Sequence, residues 1–387
     1  MIEAPEVELA YSLTDGEIAV NNLGSARRHS WSRFWRDPLR SGIAESIVEQ
    51  EQLTAQFVGD IGALDRLDTL VLCLNRVDAT SRRTTLIRAQ IASMGHRFAE
   101  AKRHLDEIGD WGELSDAANR LSLSIDQACG TDLEAALEAR RWMASKSGRL
   151  EDLVPLAALH ADLRESDEAD RIYQRALREY NDTSPFAIAW VCFQLGVLWG
   201  ELVPESQSSR AEHWYRRAIE YLPRYVKARV HLSETYLRYG RAKEAETLLL
   251  AAIPTGDPEV HWRLADVLAK MGRFADGEVQ MLSARSGFEA LLEKHLLAFA
   301  DHGAEFYSGS GNDARRSFEL ASINLVNRPT LRAFEQAYEA AVAAGESDQS
   351  TQILAAAKKR WGATNAFRLS PLAETHADQS GYNGGTA

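Results

Sequence analysis

Two stretches near the middle of the chain repeat one arrangement of apolar and polar positions. With Gly240 placed over Gly272, Leu232 falls on Leu264, Ser233 on Ala265, Tyr236 on Leu268, Ala245 on Gly277, Leu249 on Met281 and Ala252 on Ala284. On both sides of the glycine the apolar and small positions recur every three or four residues, the period of an amphipathic helix. The pattern predicts two helices joined by a tight turn, with the glycine supplying the left-handed conformation that ends the first. Small residues at 245, 252, 277 and 284 let the paired helices approach closely.

Further copies lie on either side. The stretch 185–223 carries Leu195, Gly196 and Trp199 in its first helix and Ala211, Tyr215, Ala218 and Pro223 in its second. Upstream, Leu156, Ala157, Ala169, Tyr173 and Ala176 repeat the arrangement, as do Gly95, Phe98 and Ala101 in a more degenerate copy, followed by another helix pair over 116–145. Downstream stand Gly303, Ala304, Tyr307 and Gly311, then Ala337, Ala341, Gly345, Leu354 and Ala357, ending near Trp361. These positions, recurring in a unit of roughly 34 residues, resemble the tetratricopeptide repeat (TPR) family. Within that resemblance the turn of the 185–223 unit is longer than usual, and His160 stands where the family prefers an aromatic ring.

The resemblance implies an all-α fold, a right-handed superhelical solenoid of about seven to eight TPR-like helix pairs, each burying its apolar face against its neighbours. The strand alternation and hairpin turns of a sheet protein are absent from the pattern. The expected layout is an N-terminal arm over 1–42, partly extended and basic and aromatic at 27–40, then a helical solenoid over 43–361 and a flexible C-terminal tail over 362–387. An early pair over 43–79, helical by period but off the family positions, and a last helix over 346–361 are the expected end caps.

Charge then narrows the partners. Lys and Arg total 44 against 56 Asp and Glu, a net charge of −12, which repels nucleic acid and anionic lipid overall. The expected partner is a protein or peptide, with no nucleic acid and no membrane, and self-association into a homo-oligomer stays open. The acidic opening MIEAPEVELAYSLTDGE lacks the positive charge and apolar run of a signal peptide, and no stretch reaches the roughly 18 apolar residues of a membrane span, so a cytoplasmic protein is expected. Cys73, Cys129 and Cys192 are far apart and odd in number, which fits buried thiols and no disulfide framework.

Two stretches interleave arginine with aromatic rings, as a nucleic-acid stacking surface would. In EHWYRRAIEYLP (212–223) the repeat register puts Tyr215 and Ala218 at buried positions and leaves Arg216 and Arg217 solvated near a helix C-terminus, where positive charge is favoured. In SARRHSWSRFWRDPLR the contact candidates are Arg27, Arg28, Trp31, Arg33, Trp35 and Arg36. Either Trp31, Phe34 and Trp35 fold back to seal the first helix pair, or the arm anchors an acidic protein partner, since Trp and Arg dominate interface hot spots.

Candidate chemistry is sparse. GSGND (309–313) lacks the spacing of a phosphate loop and reads as a turn. His302 and Glu305 share a helical face, with His295 two turns earlier and Asp301 adjacent, half of a metal site, and His231 with Glu234 has the same spacing. No HExxH, GxSxG or Cys and His signature occurs, so neither catalysis, a cofactor nor a bound metal is expected. The family resemblance implies instead that the first helix of each pair lines a concave groove. The groove candidates carried over by position are Trp190, Phe193 and Val197, then Lys227, Val230, Glu234 and Arg238, then Glu259, Trp262, Asp266 and Lys270, then Ala298, Asp301, His302 and Glu305, and finally Arg332, Glu335 and Glu339. This lining suits an extended peptide with basic and apolar groups. Val154 and Ala158 stand where a Lys and Asn carboxylate clamp would be. The leading expectation is a non-enzymatic scaffold or adaptor, with a ligand-responsive regulator or accessory subunit of an enzyme complex as the alternative and a metal-dependent enzyme as the third.

Overall fold

The computed structural model describes residues 12–203 and 205–375, and these are all-α, with no strand among them. Helices α1 (Gly16–Arg36), α2 (Ile43–Leu53) and α3 (Gly62–Val77) lead into a run of antiparallel pairs. The pairs are α4 (Arg82–Met94) with α5 (Phe98–Asp106), α6 (Ser115–Ala128) with α7 (Leu133–Ser147), and α8 (Leu150–Asp162) with α9 (Ser166–Arg178). Next come α10 (Pro185–Val197) with α11 (Ser208–Tyr221) and α12 (Val226–Arg238) with α13 (Ala242–Leu250). Helix α14 (Pro258–Lys270) pairs with the first half of α15 (Phe274–Ser308), which breaks at His295, where φ is −133° and ψ 50°. The second half of α15 pairs with α16 (Ala314–Asn327), then α17 (Leu331–Ala343) with α18 (Ser347–Trp361), and a short α19 (Asn365–Arg368) follows. The result is a helical solenoid of TPR-like pairs.

The turns explain the spacing. At the end of α12, Gly240 adopts φ +75°, its N–H bonds to Leu237 O at 3.1 Å, and the Arg241 N–H bonds to Tyr236 O at 2.8 Å. These two bonds satisfy carbonyls that the helix end would otherwise orphan. Gly272 and Gly345 repeat the device after α14 and α17. After α4 and α8 the left-handed residue is His96 (φ +53°) or Arg164 (φ +61°), so in the fourth helix the reading of Gly95 as the turn residue is off by one. Both non-glycine residues hold strained backbone, and both are tethered by distant partners. His96 lies 3.2 Å through Nδ1 from Leu297 O and accepts from Asn327 Nδ2 at 2.9 Å, while Arg164 donates to Leu202 O at 2.6 Å.

Those tethers belong to a closure that repeat periodicity does not reveal. Asp65 on α3 accepts from Lys294 Nζ and His295 Nε2, each at 2.9 Å, and Arg360 donates to Gly130 O at 2.7 Å, so the C-terminal pairs lean on the N-terminal ones. The first helix returns to the middle of the chain, with Thr14 N–H bonded to Thr183 O at 2.8 Å and Arg224 to Glu17 at 2.8 Å.

Three sequence expectations change. The N-terminal arm is not partly extended from Gly16 onward: Asp15 caps a 21-residue helix through the N–H groups of Glu17 and Ile18. The tail is folded at least to 375, where Ala366, Phe367 and Leu372 are buried against Leu331, Phe334 and Trp361; residues 1–11 and 376–387 lie outside the described residues. Pro185–Leu202 is long and apolar enough to pass as a membrane span by composition, but 61% of it is buried, because α10 is packed on nearly all sides in the main core.

Close helix approach depends on small residues. A Cβ on Gly196 would lie 2.4 Å from the Tyr215 ring, whereas a Cβ on the helical Gly24 would meet only Arg28 Nη1 at 3.5 Å. Gly196→Ala is expected to cost about 1–3 kcal/mol from overpacking, and Gly24→Ala to be neutral or stabilising by up to about 1 kcal/mol. Melting temperatures of the two variants check this, and a Gly196→Ala protein as stable as wild type would contradict it.

Candidate functional site

Five successive first helices, α10, α12, α14, the second half of α15 and α17, wall a concave cavity of about 570 Å³. Trp190, Phe193, Val197, Lys227, Glu234, Arg238, Glu259, Asp301, His302, Glu305 and Arg332 from the sequence candidates line it together. Their distribution follows from the helical period: positions three or four apart on α12, at 227, 231, 234 and 238, present one face inward.

Other candidates lie elsewhere. Trp262 is buried in the core with Phe288 and Phe306, and its neighbour Arg263 faces the cavity instead. Val230 is also a core residue, while Ala298 lines an adjoining pocket. Asp266 and Lys270 line a shallower pocket beside the cavity, and Asp266 accepts from Ser310 Oγ at 2.6 Å. Glu335 is tied to Arg164 at 3.4 Å, and Glu339 is exposed one turn further on. Glu201, His231, Arg263, Asn324 and Arg328 line the cavity and were not among the groove candidates. Glu201 comes from the lengthened π-helical turn Leu198–Leu202, which has no counterpart in the repeat register. Asn324 and Arg328 come from the end of a second helix, which the rule of inward first helices passes over.

Arg263 is the electrostatic hub. Its Nη2 lies 2.5 Å from Glu234, 2.8 Å from Glu305 and 3.6 Å from Glu259, and its guanidinium carbon sits 3.5 Å over the Trp262 ring. Sharing one planar cation among three helices fixes their spacing across the cavity floor. Nearby, Glu201 accepts from Tyr215 Oη at 2.9 Å and from His231 Nδ1 at 2.6 Å. Burial opposes ionisation of Glu201, but the charge and hydrogen bond of His231 overcome it and hold the carboxyl at about 2. Burial likewise opposes the His231 charge, but Glu201, Glu234 and Glu259 hold its proton up to about 9. Glu234 is pushed up to about 7 by burial and by Glu259 and Glu201, against the pull of Arg263 and His231. Asp301 bonds to Arg328 at 3.2 Å and is held at about 2, since His302, Arg328 and His96 outweigh its burial.

The half metal site dissolves into these pairs. Asp301 is engaged by Arg328 and Glu305 by Arg263, while His295 is turned to Asp65 across the closure. Among the described residues no group of three His, Cys, Asp or Glu could hold a metal ion. GSGND is a turn in which Asn312 is left-handed (φ +48°) and Asp313 caps α16.

The arm divides in two. Arg27 bonds to Asp60 at 2.9 Å, Trp31 Nε1 donates to the buried Glu51 at 2.7 Å, and Phe34 is fully buried against Ile47 and Leu67. These residues seal the first helices. Trp35 stays 57% exposed, and Arg33 and Arg36 have no ion pair among the described residues. In EHWYRRAIEYLP, Trp214, Tyr215 and Ala218 are buried, and Arg217 pairs with Glu220 at 2.9 Å.

The charged pair at 201 and 231 has a pH signature. In the unfolded chain a histidine loses its proton near 6.5, whereas folded His231 keeps it to about 9, so the His231 contribution is complete below 6.5 and lost as pH rises through 9, while the Glu201 contribution is complete above 4.5 and lost as pH falls through 2. Ring NMR titration of His231 is expected to give a midpoint near 9 in wild type and a clearly lower one in Glu201→Gln. Equal midpoints would refute the pairing.

No protein-family model matches the chain, and no curated protein does. Among solved structures, the apo form of the quorum sensor NprR from B. thuringiensis is 12% identical, covers 89% of this chain and 97% of its own, and has a TM-score of 0.44. The human IFIT1 dimer with m7Gppp-AAAA is 15% identical, covering 90% of this chain and 86% of its own, with a TM-score of 0.40. Yeast Tom70 is 12% identical, covering 94% and 97%, with a TM-score of 0.36. At these scores the likenesses decide nothing about overall shape or ligand.

Proposed function

We propose that the protein is a non-enzymatic binding scaffold that holds an extended segment of a partner protein or peptide in its concave cavity. The observation that carries this reading is the cavity itself, walled by five successive first helices and adjoining a second pocket of about 310 Å³ with which it shares Lys227, Glu259 and His302. A long, mixed polar and apolar trough on rigid helices suits a chain segment that contributes side chains to several sites in turn. With His231 protonated to about 9 and Glu201 ionised down to about 2, this pair presents fixed opposite charges to a ligand near neutrality.

Filling the cavity tests the reading. Gln194 and Gln336 line it without being fully buried, so Gln194→Trp with Gln336→Trp should block it while the fold survives. Wild-type protein incubated with a degenerate pool of eight-residue peptides is expected to retain peptides detectable by mass spectrometry, and the double variant to retain at least ten-fold less. Equal retention, or no retention by wild type, would overturn the proposal.

A further inference from the structure

Resting on that reading, we infer that the segment bound in the cavity is acidic and carries an apolar residue that seats in the adjoining pocket against the N-terminal helices. The sequence pattern, with many carboxylates in the groove, favours a basic ligand, and the pairing in the structure reverses that preference. Each carboxylate lining the cavity is already engaged: Glu201 by His231, Asp301 by Arg328, and Glu234, Glu259 and Glu305 by Arg263. By contrast, Lys227, Arg238 and Arg332 line the same cavity with no hydrogen bond and no ion pair among the described residues. A basic ligand must compete with internal cations for satisfied carboxylates, whereas an acidic one meets donors with no hydrogen bond or ion pair to give up. Although the chain carries −12 overall, five Lys or Arg side chains and the protonated His231 face five carboxylates across this cavity, and one of those, Glu234, is half-protonated near neutrality.

A second observation points to a chain segment and not to a simple anion. Asn324 is 5% exposed and lines the cavity, its Nδ2 donates to Gln336 Oε1 at 3.3 Å, and its Oδ1 is buried without a partner. A buried orphan acceptor is costly in isolation and is satisfied by a ligand N–H, which a peptide backbone supplies. The adjoining pocket supplies the apolar half. Ile61, Leu64, Met94, Leu291 and Phe299 wall it, and Lys227 belongs to both chambers. An apolar side chain in the smaller pocket therefore places the neighbouring acidic group at Lys227, with Arg238 and Arg332 available to further acidic groups along the trough. Part of that wall, Ile61 and Leu64, comes from the turn after α2 and the start of α3, so the N-terminal helices take part in selection as well as in sealing the solenoid.

The test uses the full chain and three pools of N-acetylated, C-amidated octapeptides: one built from Asp, Glu, Leu, Phe, Gly and Ser, one with Lys and Arg in place of Asp and Glu, and one acidic pool without Leu and Phe. Fluorescence polarisation is expected to show the acidic apolar pool binding at least ten-fold more tightly than the basic pool, weakening as KCl is raised. The acidic pool without apolar residues should bind more weakly than the first. Lys227→Ala, Arg238→Ala and Arg332→Ala combined should abolish the charge preference with only a small change in melting temperature, since none of the three loses a hydrogen bond or ion pair, and Ile61→Glu should remove the apolar preference alone. Equal or tighter binding of the basic pool, or an undiminished acidic preference in the triple variant, would overturn the inference while leaving the binding scaffold intact. Failure of every pool to bind would overturn the scaffold reading itself.

Discussion

The guanidinium of Arg263 joins α12, α14 and α15 by its contacts to Glu234, Glu259 and Glu305. Removing a cation that several carboxylates share leaves uncompensated negative charge in a poorly hydrated space, so its neighbours depend on it more than a surface pair would. Its hold on three acids also decides the character of the cavity. What remains unsatisfied after internal pairing is positive, in a protein whose overall charge is strongly negative. Charge counted along a sequence and charge left over after folding can thus differ in sign.

Much of the architecture was legible from residue spacing. The glycines at 240, 272 and 345 are left-handed turn residues, and Gly196 packs against the Tyr215 ring, as a shared repeat pattern demands. These are local features, set by residues a few positions apart. Helix α1 was partly readable: Trp31 and Phe34 do fold back on the first helices, with Arg27 and Trp31 bonded to Asp60 and Glu51, whereas Trp35 stays exposed and the helical form of 16–36 was not expected.

The closure of the solenoid was not legible at all. It rests on single contacts between residues some two hundred positions apart, such as His96 with Leu297 and Asn327, or Asp65 with Lys294 and His295. Helical periodicity carries no information about such pairs. The same limit applied within the site: a one-residue difference in register exchanged Trp262 for Arg263, and an irregular turn brought in Glu201. His96 and Arg164 occupy left-handed positions that glycine fills in other turns, and each spends its side chain or carbonyl on a distant partner. Local strain and long-range closure therefore occur at the same residues.

The proposed ligand enters the concave face formed by the first helices and leaves the outer helices untouched. Amide hydrogen exchange of the full chain with and without the acidic apolar octapeptide pool measures this directly. Slower exchange concentrated in α10, α12, α14 and the start of α17 is the predicted result. Protection confined to outer helices such as α11 and α13, or to α1, would contradict it.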